Sequence, residues 1–165
     1  MRNHRCNAFF AEKHLAGGND MWKSDEYYLE KAIEVSRKSR TGGNTPFGCV
    51  LVDGDGEIIL EQGNVEITEK RCTGHAETVI MERASKLYDK KFLWNCTLYT
   101  TCEPCPMCLS AIIWANIKTV YYACTKEDAG NIGFRDDIIY KYLEGKNEKL
   151  INLKQIDRDL SLIHI

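Results

Sequence analysis

No stretch of this 165-residue sequence approaches the ~18 consecutive apolar residues that a membrane span requires. Residues 1–20 contain Phe9-Phe10 but no sustained apolar segment with a small-residue cleavage site, so no secretory leader is read there. Neither charge sign dominates: 22 basic and 24 acidic side chains leave a formal net charge of −2. A general attraction to phosphate backbones is therefore missing, which weighs against a nucleic-acid substrate. Internal repeats and low-complexity tracts are lacking as well. What remains is the composition of one ordinary globular domain, 44% apolar and 28% charged.

Eight cysteines are present, and no leader is expected from residues 1–20. That combination points to a cytoplasmic chain with reduced thiols, where clustered cysteines signal metal or catalysis rather than disulfides.

Residues 1–20 show no period and are expected to form a flexible N-terminal extension, with the folded domain over 21–165. Ser24 is a fitting N-cap, followed by Asp25 and Glu26 where acidic side chains suit the helix dipole. Tyr28, Ala32 and Val35 then recur at helical spacing until Gly42-Gly43. Phe47 to Val52 and Glu57 to Leu60 read as strands joined by an Asp53-Gly54-Asp55-Gly56 turn. A calcium loop starting at Asp53 fails, because its sixth and twelfth positions are Ile58 and Asn64 rather than Gly and an acid.

A helix is expected from His75 through Leu87 and a strand over Thr97 to Thr100. Pro106 opens another helix, whose Leu109, Ile112, Ile113 and Trp114 are assigned to the core. A strand over Lys118 to Ala123, a glycine-punctuated loop over 125–134, a short helix from Asp136 to Leu143 and a last strand from Lys149 to Ile156 complete the chain. The alternation predicts an α/β fold, a three-layer α/β/α sandwich around a central mixed five-stranded sheet.

The chemistry is concentrated in two short segments, His75-Ala76-Glu77 and Pro104-Cys105-Pro106-Met107-Cys108. Together they read H-x-E … P-C-x-x-C, the signature of zinc deaminases. A catalytic zinc takes three protein ligands and leaves one position open, and His75, Cys105 and Cys108 supply one nitrogen and two sulfurs. Cys105 and Cys108 are one helical turn apart, so both can reach one ion, and a helix N-terminus favours their thiolates. Zinc brings the pKa of a water towards ~7, and Glu77 is placed to take and return its protons.

Cys102 completes a C-x-x-C-x-x-C run like the start of an iron–sulfur motif, but that run needs a further cysteine where Ile112 stands. Cys72, three residues before His75, is a second competing thiol. A structural zinc site is normally closed by four protein ligands and gives Glu77 no task, so a non-catalytic zinc or interaction module is the reading from a different class.

The chain resembles the cytidine-deaminase-like superfamily, and within it the bacterial guanine deaminases, from about Met21 to about Ile156. The likeness is carried by Pro46-Phe47-Gly48, the two zinc-motif segments, Trp114-Ala115 and Gly133-Phe134-Arg135-Asp136-Asp137. It implies one Zn2+ per chain on His75, Cys105 and Cys108, with Glu77 catalytic. It also implies that Asn64 and Asp136 hold the edge of the base and that Phe47 and Trp114 wall the pocket. The expected reaction is hydrolysis of a free purine, guanine to xanthine and ammonia. Adenosine in tRNA, and cytosine or a nucleoside, are the alternatives with the same chemistry. The expected partners are a small nucleobase substrate and, by resemblance, a second copy in a domain-swapped homodimer. Arg135 replaces the family's first aspartate, Cys72 and Gly74 its usual Pro and Ala, and Leu162-Ile163-His164-Ile165 has no match to the family's C-terminal helix.

Overall fold

The computed structural model describes residues 23–134, 137–146 and 150–156. The expected N-terminal extension over 1–20, Asp136 and the tail 157–165 lie outside the described residues. Among the described residues ten elements follow one another: α1 (Asp25–Thr41), β1 (Gly48–Val52), β2 (Ile58–Gly63), α2 (Ala76–Leu87), α3 (Lys90–Leu93), β3 (Thr97–Cys102), α4 (Pro106–Trp114), β4 (Thr119–Cys124), α5 (Lys126–Asn131) and α6 (Asp137–Leu143).

The sheet is mixed, in the order β2-β1-β3-β4, with β1 antiparallel to both β2 and β3, and β3 parallel to β4. Strand alternation sorts the core onto two faces. Cys49, Leu51 and Leu98 pack with Ala76, Ile80 and Ala84 of α2 and Ile112 of α4. Val50, Val52 and Tyr99 pack on the other face with Tyr28 and Val35 of α1. The three-layer reading therefore holds.

Helix α1 lies unusually close to the sheet because glycines face its small side chains. A Cβ at Gly48 would stand 2.5 Å from the Ser36 backbone nitrogen and 2.8 Å from the Ala32 carbonyl oxygen. A Cβ at Gly63 would meet the Ser39 Cβ at 2.8 Å. This contact fixes the chain just before β1 and just after β2, the two segments that carry Phe47 and Asn64. The Asp53 turn is as expected, its Oδ1 accepting the N–H groups of Asp55 and Glu57 at 2.9 and 3.0 Å.

Four expectations are corrected. Four strands, not five, form the sheet among the described residues. Residues 150–156 are not a strand: Leu150, Ile151, Leu153 and Ile156 are exposed and pair with no neighbour in the sheet. The loop expected over 125–134 contains a helix, α5, begun by a capping box between Thr125 and Asp128. Finally, only Ile112 of the four apolar residues assigned to the core of α4 is buried, while Leu109, Ile113 and Trp114 face outward. Among the described residues no helix is long and apolar enough to cross a membrane.

Candidate metal centre and active site

Two helices begin at the same place. His75 is the N-cap of α2 and Cys105 the N-cap of α4, and neither side chain caps its own helix. Each is in extended backbone conformation, which leaves its side chain free to turn away from the helix. Pro106 at the first helical position starts α4 without wasting an N–H. Cys108 then comes round one turn later, and Glu77 sits in the first turn of α2.

The result is a compact donor set. Cys105 Sγ lies 3.5 Å from both His75 Nδ1 and Cys108 Sγ, and Cys108 Sγ lies 3.6 Å from His75 Nδ1. Tetrahedral zinc with Zn–S of ~2.3 Å and Zn–N of ~2.0–2.1 Å separates two sulfurs by about 3.8 Å and a sulfur from a nitrogen by about 3.6 Å. The triangle of donors therefore fits that ion without rearrangement. All three ligand atoms lie within 4.8 Å of one another, and no fourth residue joins the group among the described residues. Cys102 lines the neighbouring cavity but is outside the donor group, and Cys72 is exposed.

The electrostatics suit a cation. Cys105 ionises easily, its pKa lowered to about 4 by the hydrogen bond from the Cys108 thiol and by the His75 imidazole. Cys108 is driven the opposite way, because a second thiolate would face the first and the Glu77 carboxylate in a desolvated site. The protons thus belong to the pair, and a divalent ion is what releases both. His75 is raised, chiefly through its contact with Cys105.

Glu77 is buried to 5% exposure beside this set. Its Oε1 accepts a 2.7 Å hydrogen bond from Thr100 Oγ1, and its Oε2 stands 3.6 Å from Cys108 Sγ. Burial pushes its pKa up, while the Thr100 hydrogen bond pulls it down. Thr100 was not singled out in the sequence, although it alternates with Leu98 on the α2-facing side of β3.

These groups open on a cavity of about 280 Å3. Phe47 forms part of its wall and meets Phe134 edge to face, with ring centroids 4.9 Å apart. Asn64 is also on the wall, 2% exposed. Its Oδ1 accepts the Glu66 N–H at 2.9 Å, so its amide Nδ2 is the donor left for another group. Glu66, Glu103 and Lys126 complete the rim, with Glu66 Oε2 4.0 Å from His75 Nε2 and Lys126 Nζ 3.8 Å from Glu103 Oε1. None of these three was expected, since they come from separate parts of the chain, two of them in loops and Lys126 at the start of α5.

Trp114 lies apart from these groups within the chain. It is 77% exposed at the far end of α4 and does not line the cavity. Nine residues of helix carry it away from the N-terminus where Cys105 and Cys108 act. Asp136, the other expected substrate contact, lies outside the described residues.

Residues 22–124 match the family described as the cytidine and deoxycytidylate deaminase zinc-binding region. Guanine deaminase of Bacillus subtilis is 42% identical over 125 residues, which cover 75% of this chain and 80% of that protein. The tRNA-specific adenosine deaminase of the same organism is 37% identical over 109 residues, covering 66% of this chain and 67% of its own. The X-ray structure of Bacillus subtilis guanine deaminase superposes with a TM-score of 0.78 at 38% identity, covering 86% of this chain and 90% of that one. The matched span contains both halves of the zinc motif, which the fold brings together at two helix N-termini, and the chain belongs to the cytidine and deoxycytidylate deaminase family of zinc-dependent hydrolases acting on C–N bonds.

Proposed function

We propose that this chain deaminates a free purine, converting guanine and water to xanthine and ammonia. The observation that carries the reading is the buried Glu77 carboxylate held against the His75, Cys105 and Cys108 donor set at the end of a small cavity. At about 280 Å3 the cavity falls just below the ~300–1,000 Å3 typical of drug-sized ligands, a size that suits a base without its sugar. The likeness to a guanine deaminase over most of both chains supports the choice of base.

His75, Cys105 and Cys108 hold the zinc, whose Lewis acidity makes a nucleophile of water near neutral pH. Glu77 moves the protons. Thr100 occupies Oε1, so Oε2 is the oxygen that takes the proton from the attacking water and returns it to a ring nitrogen. The second proton of that water leaves with the exocyclic amine as ammonia, and the ring carbon keeps the oxygen. A carboxyl raised by burial is a better base than a solvated one, and the shift moves its pKa towards the neutral range where one group can both take and return a proton. Asn64 Nδ2 donates to an acceptor on the base, Phe47 lies along its face, and Asp136 accepts from purine N–H groups. A site that pairs such groups rejects bases lacking them by large factors.

The working form is a homodimer in the cytoplasm. Leu109, Ile113 and Trp114 place three large apolar side chains on the open side of α4, and a second copy is the partner that covers them. Trp114 thereby acts at that contact rather than in the cavity of its own chain.

Ammonia release from guanine, guanosine, adenine, cytosine and an anticodon stem-loop, measured side by side, tests the function. Guanine is expected to be the substrate turned over fastest. Release from the stem-loop alone would move the chain to the tRNA-editing branch of the family, and release from none would favour a non-catalytic zinc module.

A further inference from the structure

Glu66 stands on the cavity wall and has no task in the chemistry above. Its place is nonetheless closely specified. A Cβ at Gly74 would lie 2.7 Å from both the Cα and the backbone nitrogen of Glu66. The bare Gly74 therefore lets the Glu66 backbone press directly against the residue that precedes His75. Hydrogen bonds lock this contact. The Val65 N–H donates to the Gly74 carbonyl at 2.9 Å, and the Arg71 N–H to the Glu66 carbonyl at 3.0 Å. The Glu66 N–H is itself held by Asn64 Oδ1 at 2.9 Å. One backbone segment is thus tied both to Asn64 and to the start of α2.

The Glu66 side chain faces the metal centre from outside. His75 turns Nδ1 towards Cys105 and Cys108, so Nδ1 is its ligating atom and Nε2 its outward one. Glu66 Oε2 lies 4.0 Å from that Nε2, and no other hydrogen bond or ion pair engages the carboxylate among the described residues. A metal on Nδ1 leaves the ring proton on Nε2, where it is a donor in need of an acceptor. The gap is roughly 1 Å longer than a hydrogen bond, and the partly exposed Glu66 side chain can close it by turning about its own torsions.

We propose that Glu66 is a positioning residue of the metal centre, its carboxylate accepting the Nε2–H of His75 and so fixing the tautomer and aim of the ring that presents Nδ1 to zinc. The inference rests on the zinc reading of the site and not on the choice of base. Carboxylates that hold ligating histidines in this way raise the basicity of the ligand, and their loss weakens metal affinity or activity by roughly 10- to 100-fold. The Glu66–His75 pair is open to solvent on one side, which sets its effect at the lower end, about tenfold.

The test titrates zinc-free wild type, Glu66→Ala and Glu66→Gln with zinc in competition with a chelating dye. Cobalt absorption spectra, the ligand-free Tm and guanine kinetics at saturating zinc accompany each titration. Glu66→Ala is expected to raise the zinc Kd about tenfold, with cobalt bands unmoved because the three ligands are unchanged. Its Tm should stay within about 2 °C of wild type and its KM for guanine within about twofold. Glu66→Gln keeps an oxygen that accepts the N–H and is expected to lose only about threefold in zinc affinity. A wild-type zinc Kd in Glu66→Ala would overturn the proposal. So would a raised KM with zinc affinity intact, which would make Glu66 a contact to the base, or a Tm that falls along with zinc affinity, which would make the fold the cause. A wild type inert towards guanine would refute the purine reading and leave the zinc titration standing, whereas a wild type that binds no zinc would refute both.

Discussion

Replacing Glu77 by glutamine alters one functional group in a site that otherwise has every reason to stay intact. Glutamine retains a carbonyl oxygen for the Thr100 hydroxyl, now 2.7 Å from Oε1, and fills the same buried volume. It cannot accept a proton from water. General acid–base catalysis contributes typically 10²–10⁴-fold, about 3–5 kcal/mol of barrier, and among the described residues Glu77 is the one buried carboxylate within reach of the donor set. Turnover should therefore fall by at least about 10²-fold while one zinc per chain stays bound.

Stability should move the other way. In zinc-free protein the Glu77 pKa is raised by burial, so folding disfavours its ionised form. Its contribution is intact below the carboxyl's unfolded pKa and is lost as pH rises through the folded value. Glu77→Gln removes that loss, and the Tm advantage of the variant should grow from pH 4 towards pH 7. Ammonia release, metal analysis and calorimetry on the zinc-free form measure the three effects. Turnover above a tenth of wild type, or zinc lost with the carboxylate, would refute the assignment.

Two further perturbations separate the scaffold from the assembly. Gly48→Ala forces a Cβ to within 2.5 Å of the Ser36 backbone nitrogen, where no side chain can swing aside. It should cost about 2–3 kcal/mol and roughly 5–10 °C in Tm, and an unchanged melting curve would contradict the close packing of α1 on β1. Ile113→Glu places a charge among Leu109, Ile113 and Trp114 on α4 and should shift sedimentation from dimer to monomer without lowering Tm, because Ile113 is 65% exposed within the chain. A wild type that sediments as a monomer would remove the dimer proposal.

The zinc motif was legible because each half is local. A histidine or cysteine at a helix N-cap, a proline one position on and a second cysteine one turn later specify their own geometry. What lay hidden was long-range or depended on a neighbour. Thr100 reaches Glu77 across 23 residues, and the Ser39 hydroxyl reaches the Asn64 carbonyl across 25, through side chains whose spacing carries no signature. Leu109, Ile113 and Trp114 share the apolar character of core residues, and nothing in a helical repeat tells the inside of a chain from a face open to a partner. Residues 150–156 hold the apolar side chains of a strand, but a strand exists only where a neighbour accepts its hydrogen bonds. Helix α5 did carry a local signal, the Thr125–Asp128 capping box, outweighed in the sequence by Gly130 and Gly133.

The central claim is that His75, Cys105 and Cys108 hold one catalytic zinc that Glu77 serves as proton carrier. Chelated protein titrated back with zinc, while ammonia release from guanine is followed, tests it most directly. Activity should climb linearly to one equivalent of zinc per chain and then stop, and Cys108→Ser should show neither the bound zinc nor the climb. Ammonia release from the zinc-free protein, or full activity in Cys108→Ser, would contradict the account.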